Sequence, residues 1–541
     1  MGYNQFSFET SVKPPGKIKM SIQIKSLLCV LTIVLLSTIT HASSKSGEEL
    51  IEATKQRNAE VVIALVEKGV DTNTTQPDGA TALHWAAHWN EFDTAKLLLE
   101  AGARPNVTNQ YGVTPLLLAC ADADFEMIKL LLEAGANPNA ALPTGETPLM
   151  AATRTNKLEA VKILLDAGAY VHAQENTHGQ TALMWATSRL HLDVAETLIA
   201  AGAKVQARSH NGYTPLLLTA RNGNLEAVQL LLEHGADVNE AASDGTTVLH
   251  VATVRGHGAL VKTLLELGAD PNASGPGYTP LHWAAGTWDS ITVSEFINFP
   301  PQDSGTSHEW NVMSGLPEDM QLDVMKALLE HGADPNVKTT GPVPRFGYSF
   351  HNLVKAGGDA LGATPFLLAA AGGKVPAMKL LVEHGADPLL KTVDNTTPLM
   401  VASGLTAIEE EHDTLESDHL EAVKLCLELG ADVNAVNDIG NTALHATALL
   451  GYPAIAKYLI VEADAAVNPV NDVGETPLRL AEGTVINAMF FIHDKVAAVL
   501  RELGGVSDGM FACTETMKKA ASINAQSTVC DPDYESQPAQ Q

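Results

Sequence analysis

The chain has 541 residues and is 45% hydrophobic, which excludes a disordered polymer, while aromatics at 5% are sparse for large conventional cores. Its formal charge is −29, from 63 acidic and 34 basic residues. That balance argues against a duplex nucleic-acid binder, which must neutralise phosphates, and against docking on anionic lipid.

In chain order the first element is residues 26–40, SLLCVLTIVLLSTIT, preceded by Lys17, Lys19 and Lys25 and followed by Thr40-His41-Ala42. This reads as a secretory signal peptide, residues 1–42, cleaved after Ala42; Met20 as an internal start would make it tidier, and uncleaved it would be a short anchor. Cleavage removes four lysines and one glutamate and leaves −32. The expected location is the periplasm or the outside of the cell. No later stretch is apolar for long enough to span a bilayer, so no stable membrane insertion is expected after cleavage. Among the remaining cysteines, Cys120 and Cys426 sit in helical patterns, and no C-x-x-C occurs. Cys513 and Cys530 share the polar tail 505–541, where an oxidising compartment predicts a disulfide.

Residues 84–89 read HWAAHW, with His84 and His88 four apart on one helix face, the spacing of H-E-x-x-H zinc hydrolases. The glutamate base of such a site is replaced by Trp85, and no third ligand follows at short helical spacing. HWAA also returns at residues 282–285, which makes it a repeated element.

The repeat is seen by aligning threonines. GATALHWAA starts at Gly79, GVTPLLLAC at Gly112, GETPLMAAT at Gly145, GQTALMWAT at Gly179, GYTPLLLTA at Gly212, GTTVLHVAT at Gly245 and GYTPLHWAA at Gly277. GATPFLLAA at Gly362, NTTPLMVAS at Asn395, GNTALHATA at Gly440 and GETPLRLAE at Gly474 follow. The first seven threonines lie 32 to 34 apart, and L-L-E-x-G-A-D-x-N recurs in step. The glycine before x-Thr supplies a positive φ, a role Asn395 tolerates. Threonine caps the first helix, with proline at N1. The leucine pair gives the apolar stripe, and Gly-Ala ends the second helix in the left-handed region. His84, His250, His282 and His445 share one position, where the ring braces neighbouring turns; His88 falls at a variable exposed end.

This pattern resembles the ankyrin repeat in its period and its T-P-L-H-x-A core, over residues 48 to about 504. The resemblance implies an all-α repeat solenoid of stacked helix–turn–helix units with β-hairpin fingers, and a binding scaffold rather than an enzyme. Residues 48–73 form a polar starting half-repeat, giving about twelve in all. Thr to closing Gly is 21 in eight repeats, with Ala463 standing for the missing glycine in the tenth. From Thr279 to Gly332 it is 53, from Thr397 to Gly430 33, and from Thr476 to Gly504 28, marking insertions of 32, 12 and 7; the finger from Gly332 to Thr364 carries about 20 extra. The chain then divides into N-terminal repeats (43–286), a repeat with two large aromatic insertions (287–361), C-terminal repeats (362–504) and the tail.

Three surfaces are candidates for function. Arg154, Arg189, Arg221 and Arg255 stand near the end of helix one in four successive repeats, a ladder on the concave side suited to carboxylates or phosphates. The insertions contribute Trp288 and Trp310, then Phe346 and Tyr348, as aromatic anchors for a protein partner or as braces on the stack. Glu409-Glu410-Glu411-His412-Asp413 lacks the glycine loop of a Ca²⁺ site and reads as a solvated charge run. No metal, cofactor or nucleic acid is expected. The leading reading is an exported, non-enzymatic scaffold with a protein partner. Alternatives are an enzyme whose site is assembled from the insertions with His351, Asp303 or His308, and an effector delivered into a host cell. On the fingers, Tyr111, Tyr213 and Tyr278 form a reserve surface.

Overall fold

Two positions set where each repeat begins. The residue before x-Thr has positive φ, as at Gly79 (φ 86), Gly362 (φ 80) and Asn395 (φ 61). At Gly245 there is a second reason for glycine, since an added Cβ would lie 2.5 Å from Gly275 Cα in the neighbouring finger. The threonine that follows is extended, so its Oγ accepts the amide three residues on, Met150 N to Thr147 at 3.3 Å and Leu367 N to Thr364 at 3.3 Å. Proline at N1 in most repeats fixes the first helical φ without removing a needed donor.

The computed structural model describes residues 45–122, 125–286, 318–340, 361–405, 415–486 and 489–507. The expected signal peptide, Trp288, Asp303, His308, Trp310, Phe346, Tyr348, His351, Cys513, Cys530 and the charge run 409–413 lie outside them. The chain divides into two units, Met1–Lys204 and Val205–Gln541. In the first, a helix over residues 45–55 pairs with Ala59–Glu67, Ala82–His88 with Phe92–Glu100, Pro115–Asp122 with Phe125–Glu133, Pro148–Arg154 with Leu158–Asp166, and Ala182–Ser188 with Leu192–Ala200. In the second, Pro215–Ala220 pairs with Leu225–Glu233, Val248–Val254 with Gly258–Glu266, Pro280–Ala285 with Glu318–Glu330 and Pro365–Ala371 with Val375–Glu383. Pro398–Ala402 with Glu416–Glu428, Ala443–Leu450 with Pro453–Val461, and Pro477–Glu482 with Asp494–Glu502 follow. Inside each unit, first helices pack on first helices and second on second, the all-α repeat architecture. A pair of short antiparallel strands, Thr484–Ile486 and Met489–Phe491, fills the connection within the last helix pair.

Burial follows the repeat. Leu83, Leu98, Leu131, Leu164, Leu231, Leu264 and Leu381 are fully enclosed, and Ala86, Ala87, Ala369 and Ala370 are small enough for helices to close up. Truncating one such leucine costs about 2–5 kcal/mol. Cys120 and Cys426 occupy the same kind of apolar site, where burial pushes both thiols up and leaves them inert.

Successive repeats are also clasped by asparagine. Asn73 Nδ2 donates to Gly102 O at 2.9 Å, while Arg104 N donates to Asn73 Oδ1 at 2.8 Å. The same two-bond clasp recurs at Asn106 and Asn139, and in the second unit at Asn239, Asn272, Asn336 and Asn468. Leu389 stands at this position in the repeat after Gly385, where it cannot make the bonds and is 48% exposed.

Two expectations need correction. The starting segment is a complete helix pair, because Leu50, Ile51, Val62 and Leu65 supply buried stripes on both helices. In the tenth repeat the left-handed residue is Asp464 (φ 59), not Ala463; aspartate tolerates that region better than alanine, so the helix end moves by one. The fingers are tight hairpin turns closed by bonds such as Gln76 N to Ala80 O (2.8 Å), with antiparallel bridges at Gln174–Thr181 and Ala241–Thr247.

Candidate functional site

The repeated histidines are fully committed. In His282, Nδ1 accepts from Thr279 N (3.1 Å) and meets Thr279 Oγ (2.8 Å), while Nε2 reaches Ala363 O at 3.1 Å. His84, His250 and His445 repeat this with Val113 O, Tyr278 O and Glu475 O. A carbonyl only accepts, so Nε2 carries the proton and Nδ1 is the acceptor, which leaves neither nitrogen for a metal. Burial holds His250, His282 and His445 down to about 4, and lowers His84 in the same direction. His88 is half-buried rather than exposed, because its ring is held between Trp89 (centroids 4.6 Å apart) and Trp85 (6.0 Å).

The four arginines do not behave alike. Arg154 is exposed and pairs with Glu146 at 3.1 Å, an interaction that water screens. Arg189 is exposed at the end of Ala182–Ser188. Both belong to the first unit. In the second unit, Arg221 and Arg255 are half-buried at the C-caps of Pro215–Ala220 and Val248–Val254, helices that pack on each other. The repeats are locked there by His257 Nε2 on Arg221 O at 2.8 Å. Burial, then the like charge of Arg255, pushes the Arg221 guanidinium down to about 9, with Tyr213 opposing. Burial lowers Arg255 as well. Both remain cations at neutral pH.

The finger tyrosines divide by burial. Tyr213 and Tyr278 are buried, at 4% and 8% exposure, whereas Tyr111 is 64% exposed. Only Tyr111 is therefore a surface finger residue. Burial, with Asp244 adding to it and Arg221 opposing, pushes the Tyr213 phenol up to about 12; burial, Asp244 and Tyr213 raise Tyr278. The Tyr278 ring lies 5.8 Å from both Trp283 and His250.

The roots of both large insertions are fixed. Gln321 Nε2 donates to Ala284 O (2.5 Å) and Gly286 O (3.0 Å), and Lys374 Nζ donates to Gly286 O and Gln321 Oε1, both at 2.9 Å. Gly286 ends the helix from which the first insertion departs. At the second, Thr339 N donates to Ala363 O and Gly362 N to Thr339 O, both at 2.9 Å. Sequence reasoning missed the Gln321–Lys374 clasp; its one trace is that Lys374 stands at the N-cap position which His191, His257 and His493 fill in other repeats. Among the described residues no group of side chains is arranged to hold a metal ion, and no helix is long and apolar enough to cross a membrane.

Comparison with known proteins agrees with this construction. Models of ankyrin repeats match residues 50–141, 116–209 and 202–275, then 361–393 and 411–460, together more than half of the chain. Protein phosphatase 1 regulatory subunit 27 from Homo sapiens and its counterpart from Mus musculus are each 45% identical to the chain over 58 residues. That stretch is 11% of this chain and 36% of each relative, so the chain spans about a third of the length of the curated relatives it matches.

Proposed function

The chain belongs to the ankyrin-repeat family, and from that premise we propose that it is an exported, non-enzymatic scaffold that holds a protein partner on its concave side. Ankyrin repeats are protein-interaction scaffolds, and the relatives are named as regulatory rather than catalytic subunits. The observation that carries the finer reading is the half-buried Arg221–Arg255 pair, one repeat before the root of the first insertion at Gly286. Arginine beside aromatic anchors is the usual composition of an interface hot spot. Trp288 and Trp310, with Phe346 and Tyr348, supply those anchors in this reading, and the array runs to about twelve repeats between the signal peptide and the tail. The signal peptide directs the chain to the periplasm or beyond. The repeated histidines are held by backbone carbonyls, while His351, Asp303 and His308 of the enzyme reading lie outside the described residues.

The test is capture of a partner by the mature chain and by a form lacking residues 287–317. The account expects the deletion, and Trp288→Ala by ~2 kcal/mol or more, to weaken capture. A Trp288→Ala protein with a lowered Tm and intact affinity would make the insertion a brace.

A further inference from the structure

We propose that the C-terminal end of the second unit is a docking surface for residues 509–523 of the same chain, which continue the stack as one more finger and first helix and close it. The surface is seen in the described residues, and the occupant is identified by its place in the repeat.

Inside the second unit each finger tip rests on the one before it. Ser243 N donates to Asn211 O at 3.3 Å, and Val393 N to Leu361 O, Asp438 N to Asp394 O and Asp472 N to Ile439 O, all three at 2.9 Å. Each acceptor lies three residues before its capping threonine, and each donor four before the next one. Val473 O is next in that series, and no amide among the described residues reaches it. The Val473 side chain is 72% exposed. A Cβ added at the turn glycines Gly362 or Gly440 would meet the following finger at 3.0 Å, whereas one at Gly474 would meet nothing within 4 Å. The last described finger therefore lacks the layer that covers the others.

The chain leaves the last repeat on the path of a finger. Val506 N donates to Asn468 Oδ1 at 2.7 Å, the clasp with which Asp334 and Asp387 begin their fingers, and Thr476 Oγ1 donates to Val506 O at 2.7 Å. Thr516 is twelve residues after Gly504, the separation of the capping threonine from Gly202, Gly235, Gly385 and Gly430. Ala521 and Ser522 then stand five and six residues after Thr516, as Ala402 and Ser403 do after Thr397, and that pair is fully enclosed between helices. Ala512 falls four before Thr516, so its amide is the donor for Val473 O. Lys518 and Lys519 stand where Leu478 is buried and where His445 reaches the next finger. Residues 524–541 carry no L-L-E pattern, so neither a second helix nor another finger is there to meet, and a polar outer face suits a terminal layer. Residues 509–523 hold two lysines and one glutamate, a basic stretch in a chain at −29. Tethered at Val506, they act at an effective concentration on the order of millimolar, ahead of a free partner. Thr514 takes the turn position held elsewhere by glycine or Asn395, where a β-branched residue is strained at positive φ, so Thr514→Gly should tighten the docking.

The experiment is hydrogen–deuterium exchange with thermal melts on the mature chain, on a form ending at Ser507, on Ala521→Arg and on Thr514→Gly, with a form ending at Gln526 as control. All are measured in reductant, so that a Cys513–Cys530 bridge adds nothing. The Ala512 amide of the mature chain should be protected. Amides of Pro477–Glu482 should exchange at least tenfold faster in the form ending at Ser507 and in Ala521→Arg, both with a lower Tm. The form ending at Gln526 should match the mature chain, and Thr514→Gly should raise the Tm. Should the shortened form fail to fold, the two point variants carry the test. The proposal is overturned if Ala512 exchanges freely, if Ala521→Arg exchanges and melts as the mature chain does, or if Thr514→Gly lowers the Tm. Protection that grows with protein concentration, with a dimer in sedimentation, would give the open end to a second copy and overturn it as well.

Discussion

His282 Nε2 and the carbonyl of Ala363 meet at 3.1 Å although 81 positions separate them. Both large insertions lie in that interval, yet the bond is the one that His250 makes to Tyr278, 28 positions on. Asn272 to Gly332 and Asn336 to Gly385 likewise span 60 and 49 positions with the geometry used elsewhere for 29. Inserted chain therefore leaves and returns without opening the stack, because each joint is made by side chains of the repeat itself.

The histidine ladder sets an acid limit. Free histidine titrates near 6.5, while burial holds His250, His282 and His445 at about 4. Between those values the unfolded chain takes up protons that the folded one refuses, so stability is present above pH 6.5 and lost as pH falls towards 4. Each histidine contributes a slope of up to ~1.4 kcal/mol per pH unit. Urea midpoints measured from pH 7 to 4 should fall steadily, and His282→Ala should show a shallower fall from a lower start, by about 1–3 kcal/mol at pH 7. An unchanged slope in that variant would refute the assignment.

Glu240 acts in the opposite direction. It is 6% exposed and takes the Thr214 hydroxyl, and burial pushes its carboxyl up to about 7 against a free value of 4.5, with Thr214 and Arg208 opposing and Asp237 adding. The folded state keeps a proton that the unfolded state has released, so its contribution is present below pH 4.5 and lost as pH rises to 7. Glu240→Gln should thus raise the Tm at pH 8 relative to wild type more than at pH 5. Equal shifts at the two values would show that Glu240 is ionised throughout.

Leu389 marks the one joint of the C-terminal repeats where leucine replaces the clasp asparagine. Leu389→Asn should restore bonds to Gly430 O and Asp432 N and stabilise by about 1 kcal/mol, read as a higher Tm and slower amide exchange around Gly430. A neutral or destabilising result would mean that this joint has a different spacing.

In the tail, Cys513 and Cys530 should be bridged in the exported form proposed above. Closing a loop of that length is worth on the order of 3 kcal/mol in the chain-entropy model. Alkylation of the unreduced mature protein under denaturing conditions should label Cys120 and Cys426 only; labelling of all four would rule the bridge out.

Much of the fold was legible because its register is local. Gly-x-Thr-Pro-Leu states a turn, a cap and a core residue within five positions, and Asn395 was readable as a left-handed residue for the same reason. What was not legible depended on side chains meeting across long separations, such as Lys374 on Gly286, 88 positions apart. The arginines looked equivalent by spacing, but burial divides them. Tyr111 differs from Tyr213 and Tyr278 by standing before the turn glycine rather than after it, and that single step moves its ring from the buried side to solvent.

The most direct test of the account is hydrogen–deuterium exchange of the mature chain with and without its captured partner. The account predicts protection along the first helices of the second unit, around Arg221, Arg255 and residues 280–286, with the second helices Leu225–Glu233 and Gly258–Glu266 unchanged. Protection confined to those second helices, with the arginine-bearing helix ends exchanging as freely as in the unbound chain, would contradict it.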